Sequence, residues 1–203
     1  MLFLHFNGIK NLFFALLIPL SLVLINKGLS YKVHQEVLQK VSTIVIPPRY
    51  NENHYIYVGF SRPLNEERLF IMKYDNGRSS IEWSALVSHG NGKGNTSTRV
   101  VTSNTINSHC SSEGIYRLGR VKPFGKGKCI ELDGLSSTNS NARVRGIYIH
   151  SCKYLRRMPK QYFFNIPLKD VSHGCIVTDP STNQKIMELV NHSKKPILMY
   201  VSL

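Results

Sequence analysis

Acidic residues are scarce in this chain: 12 Asp and Glu stand against 26 Lys and Arg, a formal charge of +14 at pH 7. That imbalance points to a polyanionic partner (nucleic acid, anionic lipid or an acidic wall polymer) or to a merely solvated basic surface. Close ligand pairs are missing too. Among four cysteines and eight histidines there is no Cys-x-x-Cys and no His-x-x-x-His, which argues against a structural zinc site. No repeat or long low-complexity tract occurs. Neither a compact helical DNA-reading motif nor an aromatic-basic sheet can be read from the sequence, so nucleic acid is set aside. No apolar run reaches the roughly 20 residues of a membrane span.

The longest such run, Leu12 to Ile25, follows Lys10 and contains no acid. Its length suits a secretory signal, and Gly28-Leu-Ser30 offers small residues for cleavage before Tyr31. Leu2, Phe3, Leu4 and Phe6 extend the apolar character outward, so retention as an anchor is the other outcome. The expected division is a signal peptide or N-terminal membrane anchor over 1–30, a connector with a short helix over 31–55, and one domain over 56–203. Export to the periplasm or cell envelope makes a wall polymer the better polyanion. An apolar fraction of 42% is that of a folded protein.

Val33, Val37, Leu38 and Val41 recur at helical spacing, and Pro47-Pro48 ends that segment. From Tyr55 short strands dominate: Ile56–Phe60, Arg68–Tyr74, Ser80–Val87, Gly114–Leu118, Lys128–Leu132, Arg145–His150 and Pro196–Val201. Asp75-Asn-Gly77 is a tight-turn signal between two of them. The basic cluster Arg117–Lys128, containing Gly and Pro, reads as a surface loop, as does Lys153–Lys160. A helix capped by Asp179 or Ser181 runs to His192. The fold class is mainly β, with one or two peripheral helices.

The run Lys169-Asp-Val-Ser-His-Gly-Cys-Ile-Val-Thr-Asp179 poses the chemical question. Cys175 could be half a disulfide, a metal ligand, a buried small residue or a nucleophile. Export permits disulfides, and spacing cannot choose among three pairings. Buried free thiols suit Cys110 and Cys129. At Cys175 the preceding Gly174 lets the chain turn sharply, with amides nearby that can stabilise an oxyanion. A thiol also needs a base. In Arg145-Gly-Ile-Tyr-Ile-His150, Ile147 and Ile149 face one side and Tyr148 and His150 the other. His150 is thus a candidate base, or a surface histidine at a strand end.

Ser172-His-Gly-Cys175 with His150-Ser151 upstream resembles the L,D-transpeptidases that remodel peptidoglycan. The closer resemblance is to the murein L,D-transpeptidase catalytic domain branch. It runs through His89-Gly90, Ser103-Asn104, Ser111–Tyr116, Leu132–Leu135 and Asn141–His150. The resemblance implies a β-sandwich and a catalytic set of Cys175 as nucleophile, His150 as base and the Ser151 carbonyl orienting it. His173 and Gly174 would shape the oxyanion hole. Ser172, Arg143, Arg145, His89 and Tyr148 are the expected substrate contacts. Relatives often carry Arg or Asn where this chain has Val177, which moves carboxylate binding onto Arg143 or Arg145. The implied reaction forms 3→3 cross-links between stem peptides through a thioester, with neither metal nor cofactor. An L,D-carboxypeptidase using the same residues is the nearest rival, and a non-catalytic basic wall binder the rival of another class. Tyr162-Phe-Phe164 reads as a lid or as packing.

Overall fold

Tyr55, Ile56, Tyr57 and Val58 are all buried, so this segment packs on both of its faces, as period-two alternation in a central strand requires. The computed structural model describes residues 31–96, 98–152 and 172–203. The expected leader at 1–30, the Lys153–Lys160 cluster and Tyr162–Phe164 lie outside them. Eight strands follow in order: β1 (His54–Gly59), β2 (Leu69–Asp75), β3 (Arg78–Ala85), β4 (Gly114–Phe124), β5 (Gly127–Gly134), β6 (Tyr148–Ser151), β7 (Ile176–Thr178) and β8 (Leu198–Ser202). Helix α1 covers residues 31–41 and α2 Pro180–His192.

The strands form one mixed sheet in the order β3-β2-β1-β8-β4-β5-β6-β7. Two neighbours run parallel, β1 with β8 and β6 with β7. Ile56, Leu69, Tyr116, Ile130, Ile149, Ile176 and Met199 share one core cluster with Ile186 of α2, and Trp83 of β3 packs against it. Side chains from all eight strands meet there only if the sheet curls. It does so far enough that Ser88, just past β3, bridges Val177 of β7 through hydrogen bonds of 2.8 and 3.1 Å. On the outer face Tyr55, Tyr57, Phe70 and Met72 pack against Val33, Val37 and Val41 of α1. Spacing by four residues puts those valines on one helical stripe. The segment expected to be a connector therefore carries one wall of a second core.

Local chemistry sets the ends of the elements. Asn76 and Gly77 have φ of 47° and 78°, the left-handed pair that a two-residue hairpin needs. The Asp179 carboxylate accepts from the amides of Ser181 (2.9 Å) and Thr182 (3.0 Å), capping α2, with Pro180 in its first turn. The cluster Arg117–Lys128 is not a loop. It is the body of the β4–β5 hairpin, with Phe124 opposite Gly127 and a register shift between Leu118 and Val121. Gly119 falls at that shift and Pro123 near the tip, where both are tolerated. Arg145 and Gly146, expected to open a strand, form a turn, and Gly146 has φ 64°.

Candidate active site

Gly174 has φ 112°, a left-handed conformation that disfavours side chains. A Cβ there would stand 2.8 Å from both the Cys110 carbonyl oxygen and Ile147 Cδ1. Gly90 presses on the same turn: its own Cβ would lie 2.6 Å from Gly174 Cα. Two serines lock the turn. Ser172 Oγ donates to the Cys175 carbonyl at 2.9 Å, and Ser111 Oγ donates to the Gly174 carbonyl at 3.0 Å while accepting from the Gly90 amide at 2.9 Å. Ser172, expected to touch substrate, is buried and closes the turn instead.

Parallel pairing sets Ile149 opposite Ile176 and His150 opposite Val177. Cys175, one residue before β7, accordingly rests against the start of β6. Its Sγ lies 3.6 Å from the Gly146 carbonyl oxygen, to which the thiol donates. Burial pushes this thiol's pKa up; the Tyr148 backbone and the Arg145 cation act in the opposite direction. Tyr148 stands two residues before His150 on the same strand face. The half-buried His150 has Nδ1 3.4 Å from the Ser151 carbonyl oxygen. Burial lowers its pKa, and the Ser151 contact opposes that shift. Burial thus disfavours the charged form of both groups, raising the Cys175 thiol and lowering the His150 imidazole.

The other expected contacts scatter. Arg145 is committed to the segment before β4: it donates to the Ser103 carbonyl at 2.7 Å, Ser112 Oγ at 2.6 Å, Ser108 Oγ at 3.2 Å and the Cys110 carbonyl. Arg143 pairs with Glu131 at 2.7 Å and with Asp133. Glu131 also meets Lys122 at 3.2 Å, and together these cations hold its carboxyl down at about 2. His89 is buried against Phe60, with Nδ1 3.1 Å from the guanidinium of the fully buried Arg68. Burial, then Arg68, lowers its pKa to about 4. Both are structural placements. Tyr148 accepts from Lys122 at 3.0 Å beside the site. His173 is exposed and stacks on His109, ring centroids 4.1 Å apart and planes 10° apart.

Sequence reasoning met Ser111 only as part of a resembling segment, and passed over His109, Lys122 and Phe124. Only strand register and loop folding bring them to the site. The left-handed His109, φ 56°, has no short-range signature beyond lying two residues after Asn107. All four cysteines are free thiols. Among the described residues no three His, Cys, Asp or Glu gather as a metal site, and no helix is long and apolar enough to cross a membrane.

The family described as L,D-transpeptidase catalytic domain matches residues 25–200. Among solved structures, Bd1075 of Bdellovibrio bacteriovorus is 16% identical at a TM-score of 0.45, covering 78% of this chain and 50% of its own. The helical cell shape determining protein Pgp2 of Campylobacter jejuni is 15% identical at 0.44, covering 75% and 49%. An L,D-transpeptidase from Mycobacterium smegmatis is 11% identical at 0.39, covering 74% and 59%. The chain thus spans about half the length of the first two. Among curated proteins no match was found.

Proposed function

The chain belongs to the L,D-transpeptidase catalytic domain family, and from that membership we propose that it is a cysteine acyltransferase forming 3→3 cross-links between peptidoglycan stem peptides. The observation that carries this reading is the meeting of β6 and β7. It sets the Cys175 thiol on the backbone at Gly146 and Tyr148, two residues from an imidazole whose Nδ1 faces the Ser151 carbonyl. A donor at Nδ1 leaves Nε2 with the free lone pair of a general base.

Burial disfavours the charged forms of the thiol and the imidazole, so in this reading charge develops as the reaction proceeds. His150 removes the thiol proton as Sγ attacks the carbonyl of the third stem residue, and the oxyanion turns toward amides of the His173–Cys175 turn. Collapse breaks the amide bond. The terminal D-alanine leaves with the proton from the imidazolium, and a thioester holds the tripeptide. A side-chain amine of a second stem then attacks the thioester and gives its proton to His150. The new amide forms, and Cys175 departs as thiolate and is reprotonated. Tyr148 and Lys122 border the route, while Arg143 and Arg145 act through the groups they hold. The basic surface binds an anionic polymer, and residues 1–30 direct the chain to the envelope or tether it to the membrane there.

The test incubates the full-length protein and Cys175→Ala with a disaccharide-tetrapeptide under reducing conditions, with products resolved by mass. A dimer lacking one D-alanine, made only by the wild type, is the expected result. Tripeptide alone would mean that water resolves the thioester and the protein is a carboxypeptidase. Unchanged substrate with both proteins would refute catalysis on this donor and favour the wall-binding alternative.

A further inference from the structure

Phe124 is 40% exposed at the tip of the β4–β5 hairpin, where it has no core to fill. It leans on the site. Its ring centroid lies 4.9 Å from that of His150, at 35° between planes, and 5.7 Å from that of Tyr148 in edge-to-face contact. The tip is held there from behind. Lys122, two residues earlier, has Nζ 3.0 Å from Tyr148 Oη, 4.2 Å from the Tyr148 ring centroid and 3.2 Å from Glu131. The hairpin thus grips β6 through one cation and one aromatic ring.

We propose that Phe124 is a positioning residue for the acyl transfer, a ring that fixes the His150 imidazole against the sheet and keeps water from one of its sides. The assignment rests on His150 being the base. Three features of phenylalanine fit the task. It excludes water, its quadrupole favours tilted contact with another ring, and it offers no donor or acceptor that would occupy Nε2. The surroundings of His150 follow from strand register and this ring contact. In register, Cys129 of β5 and Val177 of β7 flank His150, and Phe124 is the side chain whose ring contacts the imidazole. Charged and titratable groups on these elements are Arg117, Arg120, Lys122, Lys126, Lys128, Cys129, Glu131 and Asp133 of the hairpin, with Lys122 bound to Glu131 and Tyr148 and Arg117 to Asp133; α2, which packs on β6, adds Lys185, Glu188 and His192. Burial is the principal cause of the lowered His150 pKa, so uncovering one side moves it upward.

The experiment follows the histidine carbon-bound protons of full-length, isotopically labelled protein against pH. His150 is assigned by the signal missing from His150→Gln. Phe124→Ala raises the His150 midpoint by about half a unit or more. The acid limb of kcat/KM for D-alanine release moves with it, and kcat falls roughly 3- to 10-fold with little change in KM. Phe124→Tyr, which keeps the ring, tracks the wild type. An unmoved midpoint in Phe124→Ala overturns the assignment even if turnover falls. Should the wild type release no D-alanine, the functional reading fails separately, and the midpoints still decide what Phe124 does.

Discussion

Arg145→Ala separates two roles for a guanidinium that stands near Cys175. The wild-type side chain satisfies the Ser103 and Cys110 carbonyls and the hydroxyls of Ser108 and Ser112. After truncation the two hydroxyls can rotate to other partners, whereas the two carbonyls of a partly buried loop cannot. A hydrogen bond to a charged donor contributes about 1.5–3 kcal/mol, and a stranded acceptor costs about 1–3 kcal/mol. Water entering the partly exposed site offsets some of this, leaving an expected loss of about 2–4 kcal/mol. The same segment carries Ser111, which holds Gly174, so the turn before Cys175 loosens with it. Removal of the cation also takes away one influence that lowers the Cys175 thiol. The assay pairs urea unfolding with the pH dependence of Cys175 alkylation, read by peptide mass. Expected are a lower urea midpoint and an alkylation curve moved to higher pH. Arg145→Lys should recover less than half the stability, because an ammonium cannot reproduce the fork. Unchanged unfolding and alkylation with a raised KM would refute this reasoning and return Arg145 to direct substrate binding.

His89 makes stability depend on acid. Its imidazole titrates at about 4 when folded against 6.5 ordinarily, so from pH 6.5 to 4 the unfolded chain binds a proton that the folded chain refuses, and stability falls as pH falls. His89→Gln keeps an acceptor for Arg68 and removes that titration; its unfolding free energy should drop less across the window, by on the order of 3 kcal/mol. A wild-type slope in the variant would refute the burial argument. Gly174→Ala puts a Cβ into the Cys110 carbonyl and Ile147 at a φ of 112°. It should cost about 3 kcal/mol or more and lose D-alanine release, measured by thermal unfolding and product mass; a stable, active Gly174→Ala would show that the turn has another shape.

Much of the fold could be read in advance because it depends on short-range pattern. Alternation gave most of the strands, Asp-Asn-Gly gave one hairpin, and Asp179 before Pro180 gave a helix start. Strand β7 escaped: Ile176–Thr178 is too short to show a period and is buried throughout. The β4–β5 hairpin was misread because its charges face solvent and its Gly and Pro look like loop. Within the site, Cys175 and His150 stood out because their neighbours form a recognisable motif. The fates of Ser172, His89, Arg143 and Arg145 did not, because their partners lie far away in the chain and a polar side chain does not announce whether it faces substrate or its own backbone. Phe124 depends on hairpin register, which a bulge displaces.

The place of β8 has a consequence for how the molecule is made. The last strand in chain order lies at the middle of the sheet, between β1 and β4. Without residues 198–202, β1–β3 and β4–β7 are ribbons joined in the sheet, among the described residues, only by the Ser88–Val177 bridge, each with a raw inner edge where β8 would pair. Assembly that must wait for distant contacts is slow. Loss of β8 would therefore open the core that both ribbons share, whereas the β6–β7 pairing that sets His150 near the Cys175 turn is made within one of them.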